Sequence, residues 1–339
     1  MKKTILALSL IAAANAFAAR LDIQPRRALD PVDSERMARV LRDARSEFTL
    51  EDGSKWIIHR VPAQNEPSAY GVTRFGADGS ARVFLVSDWL PKGSIPRGWC
   101  GQVSAVAQLS DGRVLASAGW TDGTNSHNGI FVLRALPDGR YATDQLIELP
   151  GVAQIAGGPR NTIAAVTDDA SIAGGGPLLT LLDTQGHVLG RWFDGAALSA
   201  PAAAQNSVQA RLQRISESRF ALYDPSVEMI RVFDLAVANG RATLAVRTNV
   251  FVGDDAVSAG LHLIGIEAAA DGDVLVARSG VIRGKPGTQL TVYDQHGGVR
   301  QSTTLDRPWN FMLRENGRIR GVVMRGDVVL DTIGMRAAE

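Results

Sequence analysis

His262 precedes and Glu267 follows the apolar segment Leu263 to Ile266, and this pair of side chains is the one best suited to acid–base work. An imidazole titrates close to neutral pH, and burial moves that titration toward whatever a reaction requires. The plainer reading of His262 is a hydrogen-bonded structural histidine, because no partner is identifiable from sequence. The starts of other apolar segments carry Trp99 and Gln102, Gln154, Gln209 and Arg211, and Arg307, Trp309 and Asn310. If one mouth collects them, its lining is amides, guanidinium groups and indoles. Arg forks onto carboxylate or phosphate and Trp stacks on sugar faces or rings, so neutral or anionic polar ligands suit such a lining. Taken singly, each Trp also reads as a packing residue.

The loop Asp122-Gly123-Thr124-Asn125-Ser126-His127-Asn128 concentrates oxygen ligands of the kind Ca²⁺ takes, with Asp122 and Asn125 as the metal candidates. It lacks the alternating acids and distal Glu of an EF-hand loop, and a hairpin loop rich in turn formers is the competing account. His59, His127, His187, His262 and His296 show no His-x-x-x-His spacing. Gly-x-Ser-x-Gly, Walker and dinucleotide-binding patterns are missing, so acyl, phosphoryl and hydride chemistry find no support, and no cofactor is required.

The elements that must position these residues are strands. Asp111-Gly112-Arg113-Val114-Leu115-Ala116 and Asp271-Gly272-Asp273-Val274-Leu275-Val276-Ala277 repeat one sentence, a Gly-marked turn followed by an apolar strand. Asp52-Gly53-Ser54-Lys55-Trp56-Ile57 and Asn316-Gly317-Arg318-Ile319 vary it. Such pairs supply the positive φ that tight hairpins need, and their recurrence at roughly 45 to 60 residues marks a repeat fold. The spacing predicts an all-β, six-bladed β-propeller with four antiparallel strands per blade, with a seven-bladed ring as the alternative count.

The blades are expected from Glu47 to Trp89, from Val103, from Ile163 to Trp192, from Ala210 to Val246, from Leu263 to Thr303, and from Phe311. The last is short by one strand. An open edge there is a liability that closure removes, and Leu21-Asp22-Ile23 alternates as a strand does, so the mature N-terminus is expected to complete it. Between that strand and the first blade, Asp30-Pro31 offers a helix start, and Met37, Val40, Leu41, Ala44 and Phe48 recur at helical spacing. One short amphipathic N-terminal helix is expected there, covering an end of the propeller.

Residues 1–18 read as a secretory signal: Lys2 and Lys3, an apolar run from Ile5 to Ala14, and Ala16-Phe17-Ala18 before the cut. That run is shorter than the roughly 20 apolar residues of a membrane span. The expected organisation is a signal at 1–18, closing strand and helix at 19–46, and propeller at 47–339, in a soluble periplasmic or secreted protein. Removing Lys2 and Lys3 turns a formal net charge of +1 into −1, which favours neither nucleic acid nor an anionic membrane. Cys100 is the only cysteine, so no intrachain disulfide forms and stability must come from burial.

Arg219-Phe220-Ala221-Leu222-Tyr223-Asp224 and Met229-Ile230-Arg231-Val232-Phe233-Asp234 resemble the NHL-type repeat of six-bladed propellers, in which an apolar strand ends in Asp and the next in Phe-Asp. The resemblance implies the fold. Gluconolactonase-like hydrolases share it and hold a divalent cation through an early Glu-Gly-Pro-x-Trp motif, which is absent here. Soluble quinoprotein sugar dehydrogenases carry a His segment and a Pro-Asp-Gly strand ending in Gly-Asp. The segment from Ser110 to Trp120 is similar to that strand, but Trp120 stands in place of the Asp, and Gly98-Trp99-Cys100-Gly101 replaces the His segment. The expected function is therefore a binding module for a protein or a polar small molecule at its loop face. The alternative is a channel-mouth enzyme, a lactonase-like hydrolase or quinoprotein-like sugar oxidoreductase, around His262, Arg211 and Arg307.

Overall fold

One turn geometry recurs along the backbone. At Leu50–Ser54, Leu109–Arg113, Leu136–Arg140, Asp183–His187 and Asp294–Gly298 the first residue donates its N–H to the last carbonyl and accepts from the fourth N–H, with N···O distances of 2.8–3.1 Å. The fourth residue is always Gly, at φ between +76° and +92°. A side chain there would be strained, which is why Gly ends this turn each time. In four of the five, an aspartate carboxylate (Asp111, Asp138, Asp183 or Asp294) also caps the turn by accepting a backbone N–H two residues on.

The computed structural model describes residues 20–27, 40, 44–50, 53–61, 69–76, 80–91, 101–167, 177–194, 210–224, 229–252, 260–268, 272–315, 318–325 and 327–336. They form strands β1 (Arg20–Arg27), β2 (Ala44–Thr49), β3 (Lys55–Val61), β4 (Ala69–Phe75), β5 (Ala81–Phe84), β6 (Gln102–Gln108), β7 (Val114–Thr121) and β8 (Ser126–Ala135). The chain continues through β9 (Tyr141–Glu148), β10 (Val152–Gly157), β11 (Ile163–Thr167), β12 (Pro177–Leu182), β13 (Val188–Asp194), β14 (Arg211–Arg214), β15 (Arg219–Asp224) and β16 (Met229–Ala238). It ends with β17 (Arg241–Phe251), β18 (Leu261–Ala268), β19 (Val274–Ile282), β20 (Lys285–Tyr293), β21 (Val299–Leu305), β22 (Phe311–Glu315), β23 (Arg318–Arg325) and β24 (Asp327–Arg336).

The strands fall into two compact units, Asp30–Asp254 and the combination of Met1–Leu29 with Asp255–Glu339. In the first, β10–β13 and β14–β17 are four-stranded antiparallel sheets. The runs β2–β5 and β6–β9 are two further antiparallel meanders, joined into one sheet by a parallel bridge between Tyr70 and Gln102. In the second unit, β18–β21 form one sheet, and β22, β23 and β24 form another in which β1 pairs with β24, Leu21 opposite Met335 and Ile23 opposite Ile333. Among the described residues no helix is long and apolar enough to cross a membrane.

The unbroken apolar runs follow from this layering. Successive residues of a strand point to opposite faces. Along β8, Ile130 and Val132 join a core shared with Val152, Ile155 and Ile163, whereas Phe131 and Leu133 join a core shared with Trp56, Phe84 and Val106. Both faces of a central strand are thus covered, and burying each such side chain contributes about 1.5–3 kcal/mol. A third core lies between β10–β13 and β14–β17, around Leu179, Phe220 and Phe233. In the second unit, Leu275, Leu290 and Trp309 form another.

Val40 is helical, and the expected N-terminal helix needs correction from Ala44 onward. Ala44 and Phe48 belong to β2, paired opposite His59 and Trp56, not to a helix. The first meander accordingly begins at Ala44 rather than Glu47. Met37, Leu41 and the signal segment lie outside the described residues, as do Trp99, Cys100 and Gln209.

Candidate functional site

Strands β6, β10 and β14, the first of their meanders, lie side by side in the larger unit. Gly157 allows it. A Cβ there would run into the carbonyl of Gln108 at the end of β6 and would lie 3.4 Å from Nη1 of Arg214 at the end of β14. The end of β6 and the tip of the Arg214 side chain thus come close to this glycine, and Gln102, Gln154 and Arg211 stand earlier along β6, β10 and β14. Gln102 is exposed, Gln154 is buried at 6 % exposure, and Arg211 is half-buried. Burial pushes the Arg211 guanidinium pKa below its usual value, and no charged partner opposes that shift. Among the described residues neither the Arg211 nor the Gln154 side chain has a hydrogen-bond partner.

On the same edge of the second meander, the loop after β7 is organised around one carboxylate. Asp122 Oδ1 accepts from Asn125 N–H (2.8 Å), Thr124 N–H (2.9 Å) and Thr124 O–H (2.9 Å), and Oδ2 lies 3.1 Å from His127 Nε2. The His127 ring stacks on Trp120 with centroids 5.5 Å apart. The oxygens expected of a cation site are thus spent on holding the turn, and Asn125 contributes its N–H to that turn. Among the described residues no group of three His, Cys, Asp or Glu side chains is placed to hold a metal ion.

These contacts make acid stability testable. The Asn125 and Thr124 N–H groups hold the Asp122 carboxyl below its usual range. The Arg140 N–H does so for Asp138, the Arg219 guanidinium and then Arg247 for Asp234, and the Gly298 N–H for Asp294. A carboxyl whose folded pKa is depressed contributes stability that is present above the unfolded value, about 3.9, and is lost as pH falls through the folded value. The thermal midpoint is expected to be unaffected by these groups above about pH 5 and to fall below about pH 4. Thermal unfolding across that range checks it.

The smaller unit holds the acid–base candidates apart. His262 is the exposed second residue of β18, whereas Glu267 is buried near the strand's end. Ile264 is bulged out of the ladder, so His262 lies opposite Ser279 and Glu267 opposite Leu275, four positions further along β19. At about 3.3 Å per residue the two are roughly 13 Å apart, too far to share a proton. Across from His262, Ser279 Oγ lies 3.3 Å from Thr288 Oγ1. Thr288 donates to the Arg307 carbonyl (2.8 Å) and accepts the Trp309 N–H (2.7 Å). The Thr288 hydroxyl thus ties Arg307 to Trp309, whereas His262 only lies opposite Ser279 in the ladder. Trp309, at 2 % exposure, packs against Gly321 and is a core residue. Asn310 follows it as an exposed residue before β22.

Sequence reasoning left four polar contacts unread. His59 is buried and lies 2.7 Å from Thr73 Oγ1 through Nε2. Arg231 donates to the buried Asp224 at 3.0 Å and lies over the Phe193 ring at 4.8 Å. Asp234 meets Arg219 and Arg247 at 2.8 and 2.6 Å. Both acids of the NHL-like fourth unit are thus engaged in ion pairs.

No protein-family model matches the chain, and no curated protein sequence matches it. Similar solved structures include BamB from Moraxella catarrhalis, at 12 % identity and a TM-score of 0.39, covering 93 % of this chain and 100 % of that one. A gluconolactonase from Xanthomonas campestris is similar at 9 % identity and a TM-score of 0.41, covering 93 % of this chain and 96 % of that one. A glucose dehydrogenase gives 11 % identity and a TM-score of 0.41, over 94 % of this chain and 100 % of that one. The strand pairing itself, a series of four-stranded antiparallel meanders, is the arrangement of which β-propeller blades are made.

Proposed function

We propose that this chain is an exported six-bladed β-propeller that works as a binding module. Its ligand is polar and enters at the face carrying the leading ends of β6, β10 and β14. The observation that carries the reading is that Gln102, Gln154 and Arg211 stand in the first halves of β6, β10 and β14, with β10 beside the other two, while His262 and Glu267 lie near opposite ends of β18. Polar groups gathered on a rigid scaffold bind; an acid and a base held apart do not catalyse together. The pairing of β1 along β24 supports a last blade completed by the mature N-terminal strand. The Lys2-Lys3 and Ala16-Phe17-Ala18 pattern supports export with cleavage after Ala18.

The test is a thermal-shift screen of the mature protein against sugars, lactones, organic acids, Ca²⁺ and other divalent cations, and pyrroloquinoline quinone. A compound that binds only the folded state raises the midpoint. The expected result is a shift with a polar organic compound that is recovered unchanged. Turnover of that compound, lost in a folded His262→Ala variant, would replace the binding module with the channel-mouth enzyme.

A further inference from the structure

We propose that the tip of the β19–β20 hairpin, in the smaller unit, is a docking element for an acidic segment of a partner protein. The hairpin outruns its neighbours. Pairing with β18 stops at Gly280, opposite Leu261, and pairing with β21 stops at Thr288, opposite Leu305. Beyond those positions β19 and β20 pair only with each other, as far as Ile282 opposite Lys285. Between that last pair stand Arg283 and Gly284, at φ +49° and +79°. Positive φ at both positions is the type I′ pattern, in which Asn, Asp or Gly is the usual first residue. Arginine there carries a strain that the turn itself does not require.

Arg283, Lys285 and Pro286 are exposed, and Val281 keeps 59 % of its surface in water. Among the described residues neither the Arg283 nor the Lys285 side chain has a hydrogen-bond or ion-pair partner. Lys285 and Pro286 also guard an open strand edge against pairing. Arg283 guards none, since it lies in the turn, past the last ladder pair. A guanidinium held there forks onto a carboxylate, and Lys285 meets a second one as a point charge. Two residues before Arg283, Val281 offers apolar contact. An acidic segment with an apolar residue among its carboxylates answers all three. An anionic bilayer is read by a broader field, about four to eight cations, and the two at this tip are fewer. This surface stands whether or not the larger unit binds a polar ligand.

The probe is fluorescein-labelled hexaglutamate, titrated with the mature protein at low ionic strength and followed by fluorescence anisotropy, with labelled hexalysine as the control. Hexaglutamate is expected to bind and to be released as sodium chloride is added, whereas hexalysine is expected not to bind. Arg283→Asn together with Lys285→Gln is expected to weaken binding about tenfold, as two exposed ion pairs lost together allow. Arg283→Asn alone is expected to weaken binding while the thermal midpoint holds or rises, because Asn-Gly is a favoured type I′ pair. A midpoint lowered by Arg283→Asn would show that the residue serves the turn, and would overturn the proposal. So would hexaglutamate that fails to bind, or that binds the double variant as well as the wild type. Tighter binding of inorganic polyphosphate or phosphatidylglycerol vesicles, lost in the same double variant, would replace the protein partner with a phosphate-bearing one.

Discussion

Replacing Trp56 by alanine is expected to lower stability by about 3–5 kcal/mol and the thermal midpoint by about 4–7 °C. Trp56 has no exposed surface. Its ring stacks on Phe84 with centroids 5.6 Å apart and meets the edge of Tyr141 at 5.2 Å. Its Nε1–H donates to Ser54 Oγ at 3.1 Å within the same strand and turn. Truncation removes the aromatic contacts and the hydrogen bond to Ser54, and opens a cavity between the first and second meanders. Trp56→Phe keeps most of the volume and is expected to lose less. Thermal and denaturant unfolding of both variants, with circular dichroism of the native baseline, checks the order. A loss below about 1 kcal/mol for alanine would mean that this core does not close as described.

The second large effect is expected at Gly157. Valine there must displace the Gln108 carbonyl or the backbone of β10, and neither is the flexible end of a side chain. Overpacking of this kind costs about 1–3 kcal/mol where side chains can yield, and more where backbone must move. Gly157→Val is therefore expected to be poorly folded or recovered at low yield, whereas valine at the open turn position Gly240, where nothing lies within 4 Å, meets no such obstacle. The latter carries only the strain of its positive φ. Comparing soluble yield and midpoint of the two separates close approach of first strands from ordinary turn strain.

The turns were legible because the chemistry that makes them is local. An Asp-Gly or Asp-x-x-Gly segment supplies the positive φ, and in four of five turns that share one hydrogen-bond pattern its carboxylate supplies the cap as well. The apolar runs after them were legible as strands for the same reason. Ala44 and Phe48 misled because a spacing of four fits one face of a helix and also one face of a strand. What decides between the two is the pairing of Phe48 with Trp56, a contact made across a turn.

The site was legible only as a set of residue types. Gln102, Gln154 and Arg211 stood out as polar residues at the starts of apolar segments, but which strands lie beside one another is set by contacts distant in sequence. The separation of His262 from Glu267 follows from their places near the two ends of β18, measured across a bulge at Ile264 that no local pattern announces. The Asp122 loop looked like a cation site because a capping carboxylate and a metal-binding carboxylate use the same residues. The difference lies in the N–H groups of Thr124 and Asn125, which aim inward at the oxygens.

The most direct test of the binding-module account is hydrogen exchange of the mature protein with and without the compound that gives the largest shift in the ligand screen. Bound ligand is expected to slow exchange at the leading ends of β6, β10 and β14, at Gln102, Gln154 and Arg211 and the residues beside them. Protection confined to other segments, or a screen in which nothing binds, would contradict it.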